Sequence, residues 1–441
     1  MKKNGIKDSV DNAPSQSNKT SLDPLGTTAA ANTILKLILG DYHGPVAIRL
    51  WNGDTHNYTN ATRCTVVFRN PAVLRKLILG GDLVRFAEAH LADAVDAEGD
   101  LVALFDLIDF LSKNKLRWAT RFHAMGLALR LWGPRIPYID PNANHIGHSN
   151  TKATIAHHYD LSNDFYRLWL DPEMVYSCAY FHHLDQPLAS AQCDKLDYIC
   201  RKLRLSPGQR LLDIGCGWGA LVCWAAQHYG VEAHGITLSK EQYAYATERI
   251  RNEGLDDKAT VEFRDYRNLP QNASYDRVVS VGMFEHIGIA NFPLYFDIIK
   301  RVLKPGGLFL NHGITNNTGW QRQPTSRFIN RYVFPDGELA QINDVIRAME
   351  QTEFEIMDVE SLRRHYALTL RRWISALESH KEQAIKLVGE ATYKIWRLYM
   401  AGSAHFFDRG GLHVYQILAG HRHHPPAIPL RRNDLYTNTT D

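Results

Sequence analysis

Residues 211–219 read Leu-Leu-Asp-Ile-Gly-Cys-Gly-Trp-Gly, a short apolar run that breaks into alternating glycines. Gly215, Gly217 and Gly219 carry no Cβ, so the chain can turn tightly there and bring its backbone against a ligand. The next ten residues, Ala220–Tyr229, read as a helix whose first amides would face that ligand, outside the carboxyl ends of the strands. Many α/β folds need such a turn merely to change direction, so the following strand carries the decision. A dinucleotide site calls for an acid about 20 residues past the glycines. Residues 231–236 form that strand, and the chain continues Thr237-Leu238-Ser239 with no acid. Gln242, on the helix Lys240–Asn252, could instead bond a ribose through its amide.

These residues need a sheet to hold them. Strands are expected at 210–214, 231–236, 260–263, Tyr275–Val281 and 307–312, separated by helical stretches, with Lys304-Pro305-Gly306-Gly307 turning the chain into the fifth. Alternation of this kind describes a doubly wound α/β sheet. A largely helical insertion at 321–353, helices at 367–388 and 391–406, and a closing strand at 412–419 complete the region. Ahead of it lies a smaller α+β module. It has strands at 46–51 and 63–68 and helices at 72–79, 83–92 and 101–111, with Pro71 suited to a first helical turn. The expected division is a disordered tail 1–32, an N-terminal module 33–112, a basic amphipathic linker 113–152, a catalytic domain 153–425 and a loose tail 426–441.

The linker is unusual in charge. No acid occurs between Asp109 and Asp140, while Lys113, Lys115, Arg117, Arg121, Arg130 and Arg135 do. Trp118, Phe122, Met125, Leu129 and Trp132 recur at spacings of four and three, which puts them on one helical stripe. Such a stripe suits a helix lying in a membrane interface, or a core-facing helix whose basic residues are merely solvated.

Composition narrows the rest. The 441 residues allow two or three domains, and a net charge of +3 favours no particular partner. Nucleic acid is not expected, because the charge is low and no Asn-Pro-Pro-Tyr-like motif follows the fourth strand. Six cysteines show no paired metal spacing, which suits a reduced cytoplasmic protein. No apolar run is long enough to span a bilayer, and the N-terminal stretch lacks the apolar core of an export signal.

The chain resembles class I S-adenosylmethionine methyltransferases, and among them the cyclopropane fatty acid and mycolic acid cyclopropane synthases. The resemblance rests on His158-Tyr159-Asp160-Leu161-Ser162-Asn163-Asp164-Phe165-Tyr166, Tyr176-Ser177-Cys178-Ala179-Tyr180-Phe181 and the glycine turn. Gly235-Ile236-Thr237-Leu238-Ser239, Ser280-Val281-Gly282-Met283-Phe284-Glu285-His286 and His365-Tyr366-Ala367-Leu368-Thr369-Leu370 extend it. It runs from about residue 155 to about 420, and more weakly over 68–110. It departs from the family at Asp336, within Phe334-Pro335-Asp336-Gly337, and at Ser403, where relatives often carry glycine and cysteine.

The resemblance implies a class I (Rossmann-like) sheet with helical cover. It implies transfer of a methyl carbon from S-adenosylmethionine to the cis double bond of an unsaturated phospholipid acyl chain. The resulting carbocation closes to a cyclopropane when a bound bicarbonate ion takes a proton. By the same resemblance Glu285, His312 and Tyr366 cradle that ion with their side chains, and backbone amides at Cys178 and Ile314 complete it. Gly215, Gly217 and Gly219 face the methionine moiety and ribose. Thr237 and Gln242 reach the ribose, Asp265 and Tyr266 the adenine, and Tyr159, Tyr176 and Ser177 close over the methionine end. A homodimer on the cytoplasmic face of a phospholipid bilayer is also implied. The alternative within the family is a methyl- or methylene-branched lipid product. Outside it stand a small-molecule methyltransferase and a non-catalytic lipid-binding protein; loss of Glu285, His312 or Tyr366 would have favoured the latter.

Overall fold

The computed structural model describes residues 26–80, 83–114, 117–134, 161–270, 275–318, 324–333 and 338–436. Seven strands form the larger sheet: β5 (Arg210–Ile214), β6 (Glu232–Thr237), β7 (Ala259–Phe263), β8 (Tyr275–Val281), β9 (Leu303–Asn316), β10 (Phe354–Ser361) and β11 (Leu412–His421). Their order is β10-β11-β9-β8-β5-β6-β7. β5 to β9 are mutually parallel, and the two strands added beyond β9 are antiparallel. The central strands are buried almost throughout because helices cover both faces, so they read as continuous apolar runs.

The sheet differs from expectation at one edge. The final strand does not close it, for β11 is inserted between β9 and β10. β10 reads Phe-Glu-Ile-Met-Asp-Val-Glu-Ser, and its three acids disguise a half-exposed edge strand; Asp358 and Glu360 turn inward to the buried Lys202. β9 is also longer than the expected 307–312, with the consequence that His312 lies where pairing with β8 stops and pairing with β11 continues.

A four-stranded sheet, β2-β1-β3-β4, builds the N-terminal module from β1 (Val46–Arg49), β2 (Thr55–His56), β3 (Cys64–Phe68) and β4 (Val95–Gly99). It packs with α1 (Thr27–Leu39), α2 (Pro71–Gly80), α3 (Leu83–Leu91), α4 (Leu101–Lys113) and α5 (Trp118–Ala128). α1 begins inside the stretch expected as tail, because Ala30, Ala31, Ile34 and Leu35 bury a helical face. The expectation for residues 1–25 lies outside the described residues.

In the catalytic region α6 (Asn163–Arg167), α7 (Leu188–Lys202), α8 (Ala220–Tyr229), α9 (Lys240–Asn252) and α10 (Phe292–Val302) precede or alternate with the strands. α11 (Pro324–Tyr332) and α12 (Ile342–Gln351) form the insertion after β9, and α13 (Arg363–Ser379) and α14 (Lys381–Arg409) follow β10. The break between the last two falls at His380, and a kink follows at Gly389, whose φ of 80° no helix allows. The tail from 426 is not loose up to residue 436. Leu435 is buried, and its carbonyl accepts from Arg201 at 2.8 Å.

α14 also receives the N-terminal module. Phe105 of α4 packs over Gly402, where a Cβ would come within 2.8 Å of its ring. Around it, Asp109 pairs with His405 at 3.1 Å, Asp93 with Lys394 at 2.6 Å, and Arg397 donates to the carbonyls of Ala97 and Gly99.

Candidate active site

The glycine turn leaves β5 and enters α8 beside a cavity. Of the residues expected at a cofactor, Tyr176, Ser177, Gly215, Gly217, Thr237, Gln242, Asp265 and Tyr266 line it. Gly219 does not. It caps α8 in the left-handed region, and its missing Cβ lets α9 approach, with Ala246 3.0 Å from where that atom would stand. Gly217 is different: its φ is 56° and nothing lies within 4 Å of a Cβ built there, so it leaves the cavity wall open to a ligand. Tyr159 lies outside the described residues.

The cavity's polar side chains are largely bonded to one another. Thr237 donates its hydroxyl to Gln242 Oε1 at 2.9 Å, which leaves the Gln242 amide nitrogen as the donor available to a ribose. Asp265 caps the turn that follows it and binds Arg267 at 2.6 Å, so its carboxylate orients a neighbour rather than standing free. Tyr266 sets its ring edge against Tyr295 at 5.4 Å. Ser177 is held by Lys195 Nζ at 3.0 Å and, through its carbonyl, by Gln192 at 2.9 Å.

Lys195 and Gln192, one helical turn apart on α7, went unnoticed in the sequence. A polar residue on an amphipathic helix looks solvated unless the buried face is known. Burial pushes the Lys195 ammonium down to about 8 and the Asp213 carboxyl up to about 7, and Lys195 partly offsets the latter. Asp213 Oδ1 is buried with no protein partner, a ready acceptor for a ligand's amino group at the methionine end. Acceptors, an amide donor, an open glycine and an aromatic wall are the groups that an amino-acid-bearing nucleoside requires, so the cavity fits S-adenosylmethionine.

The expected catalytic residues meet at the end of β9. Glu285 follows β8 in the single turn Phe284–His286 and accepts from the Ile314 amide at 2.6 Å. That amide was expected to face an anion; the buried carboxyl takes it because a buried acceptor needs a donor. Val414, opposite Ile314 in the register, accepts from the Leu362 amide, and the Leu362 carbonyl accepts from the Tyr366 amide and from Cys178 Sγ. One chain of contacts therefore joins Glu285, Ile314, Tyr366 and Cys178. His312, two residues before Ile314, stands opposite Gln416, whose Nε2 is 3.2 Å from His312 Nδ1.

Glu285 Oε2 and His312 Nε2 are buried without a protein partner, as is Gln416 Oε1. Burial, opposed by the Ile314 amide, raises the Glu285 carboxyl to about 7. Burial and the nearby lysines push His312 down to about 3, so the ring is neutral. Gln416 pairs with Nδ1, and where its N–H donates there the neutral ring carries its proton on Nε2 and can donate from it. Glu285 protonated, or His312 Nε2–H, can each give a hydrogen bond to an oxyanion, so the cluster fits bicarbonate. The Cys178 thiol is pushed well above its ordinary value by burial, which removes it as a thiolate nucleophile.

Apolar surroundings complete the site. Tyr366 packs on Phe407 at 4.6 Å and on Trp373 at 6.0 Å. Tyr166, Trp169, Tyr176, Trp218, Trp373 and Trp396 form one aromatic cluster behind the glycine turn. Tyr399 of α14 hydrogen-bonds Tyr176 and Ser403 and feels the Glu285 charge, which ties the cofactor cavity to the anion cluster.

This sheet and cavity define the class I S-adenosylmethionine methyltransferase fold. Mycolic acid cyclopropane synthase CmaA1, solved with SAH and CTAB, superimposes with a TM-score of 0.58 at 36% identity, over 62% of this chain and 99% of that one. Residues 147–417 match the family model described as mycolic acid cyclopropane synthetase, and the chain belongs to that family. A probable fatty acid methyltransferase of Pseudomonas putida is 39% identical across 90% of this chain and 98% of its own length. The cyclopropane-fatty-acyl-phospholipid synthase of Escherichia coli K12 is 40% identical across 59% of this chain and 66% of its own.

Proposed function

We propose that this chain transfers the methyl carbon of S-adenosylmethionine to the cis double bond of unsaturated phospholipid acyl chains, closing a cyclopropane ring. The observation that carries the reading is the pair of partnerless buried atoms, Glu285 Oε2 and His312 Nε2, with Glu285 acting electrostatically on Tyr399, the partner of the cavity residue Tyr176. The names of the relatives support the same class of lipid chemistry.

When bound, S-adenosylmethionine supplies an electrophilic methyl. The cavity holds its methionine end under Tyr176 and Ser177, and the aromatic cluster excludes water from the reacting carbon. The acyl carbon left positive is eased by neighbouring ring faces. Bicarbonate, when bound, would supply the base for the proton that leaves the added methyl as its C–H electron pair closes the ring. His312 Nε2–H and protonated Glu285 hold that anion, and Tyr366 lies on the same cluster. Burial supports a glutamate standing beside an anion: a carboxyl raised to about 7 can keep its proton and donate it as a hydrogen bond.

The branched-product alternative is favoured by one comparison, the Pseudomonas putida relative named a fatty acid methyltransferase. The test uses monounsaturated phospholipid vesicles and S-adenosylmethionine bearing a trideuterated methyl, with mass spectrometry of the released acyl chains. A ring retaining two deuteriums is expected, and a branched chain would replace this reading with the alternative. Carbon-dioxide-free buffer should lower turnover, and added bicarbonate should restore it.

A further inference from the structure

Among the described residues, four large and strongly exposed apolar side chains fall together on α5 and the segment after it. Trp118 is 73% exposed, Phe122 64%, Leu129 58% and Trp132 71%. Trp118 and Phe122 stack with their rings 6.0 Å apart, so the stripe is ordered as one surface. The opposite face of the helix is fixed. Ala124, Ala128 and Leu131 are buried, and α5 packs on α1 and α2. The aromatic face therefore cannot rotate inward without exposing that seam. A soluble chain seldom displays a contiguous aromatic stripe with no use for it.

Charge selects the occupant. At 3.6 residues per turn, Arg117 and Arg121 flank the stripe on one side and Arg130 on the other. Lys113 lies just before the helix, and no acid occurs from residue 110 to residue 134. Among the described residues none of these four cations makes an ion pair with a carboxylate. A second copy would bring arginines against arginines. A nucleic acid would need a groove to track its backbone, and a convex helix offers none. Large apolar rings between cations match a bilayer, where rings enter the acyl boundary and cations meet anionic headgroups. No helix among the described residues is long and apolar enough to cross a membrane, so the contact would lie in the plane of the surface.

We propose that the exposed face of α5, with Leu129 and Trp132, is the surface by which this chain docks on an anionic phospholipid bilayer. The proposal rests on the phospholipid reading above and names where that substrate's membrane is engaged. Each cation near such a surface contributes about a fivefold gain in binding, which makes the docking salt-sensitive.

The test uses the full chain and vesicles of equal parts monounsaturated phosphatidylcholine and phosphatidylglycerol. One variant carries Trp118→Ser, Phe122→Ser and Trp132→Ser; a second carries Arg117→Glu, Arg121→Glu and Arg130→Glu. All the substituted side chains are exposed, and unchanged S-adenosylmethionine affinity confirms folding. Each variant is expected to lose about tenfold or more in vesicle co-sedimentation and in turnover on vesicles, while keeping turnover on the same lipid dispersed in detergent micelles. Vesicle binding by the aromatic variant equal to that of the native chain would overturn the proposal. So would a native dimer that this variant splits while still binding vesicles, since the face would then join two copies. If the native chain binds vesicles through α5 but modifies lipid in neither form, docking stands and the catalytic reading fails.

Discussion

Asp213 Oδ1 aside, the cofactor cavity and the anion cluster treat their polar atoms in opposite ways. In the cavity, Thr237 is bonded to Gln242, Asp265 to Arg267 and Ser177 to Lys195, so most of the wall is organised by the protein itself. At the end of β9, Glu285 and His312 each keep a buried atom without a protein partner. An unmade buried hydrogen bond costs about 1–3 kcal/mol, so the second site is held in place at a cost that only an oxyanion or a similar guest offsets. The first region is built to position, and the second is built to need something.

The largest expected effect separates the two. Glu285→Gln should lower kcat by about 100- to 1000-fold while S-adenosylmethionine binding measured by calorimetry stays unchanged. A native rate in that variant would remove the anion cluster from the mechanism. Gly217→Val does the reverse: a branched side chain at a φ of 56° strains the turn and fills the open cavity wall. Cofactor affinity should fall about 10- to 100-fold with vesicle binding intact. Next in size is Gln416→Leu, which removes the N–H that fixes the His312 tautomer. A loss of about tenfold in kcat, with KM for the cofactor unmoved, is expected. Gln416→Glu should instead put the proton on Nδ1 and raise the histidine into the measurable range, a change that carbon-13 spectroscopy of the ring reads directly.

The smallest effect is in stability. The Glu285 carboxyl is raised in the folded state, so the folded chain holds that proton more tightly than the unfolded one. Its contribution is fully present below about pH 4.5 and is lost as pH rises through about 7. His286 and His312 have the opposite slope, so the comparison must be made between variants. Relative to the native chain, Glu285→Gln should gain up to about 2–3 kcal/mol between pH 4.5 and pH 8 in denaturant titrations. A pH-independent difference would mean that the carboxyl is not desolvated as described.

The sequence made the parallel sheet legible because strands buried on both faces are short apolar runs set off by glycine turns, as at residues 211–219. Helix Lys240–Asn252 and strand Tyr275–Val281 were read to the residue. What escaped was polar. β4, Val-Asp-Ala-Glu-Gly, and β10 are interrupted by acids and do not look like strands, although Asp358 and Glu360 of β10 are half-buried against Lys202. Gln416 passed as an ordinary strand residue because its value depends on the histidine paired across from it. For Thr237 and Asp265 the resemblance implied contact with the cofactor; both stand on the cavity wall, and the bond each makes to a neighbour was not legible. Family resemblance supplied the catalytic set, and only geometry showed that the Ile314 amide is bonded to Glu285.

Gly402 has a practical consequence. The mycolic acid cyclopropane synthase compared above aligns along 99% of its own length with only 62% of this chain. A shortened version lacking the N-terminal module would therefore look like a natural minimal enzyme. It would also uncover the hollow that Phe105 fills, strip His405 of its carboxylate partners and leave Lys394 with Glu390 alone. The helix that carries this wound also carries Tyr399 and Ser403 to the reaction cluster. Here the module is a missing wall rather than an accessory, and the isolated catalytic part should aggregate unless that wall is repainted with polar side chains.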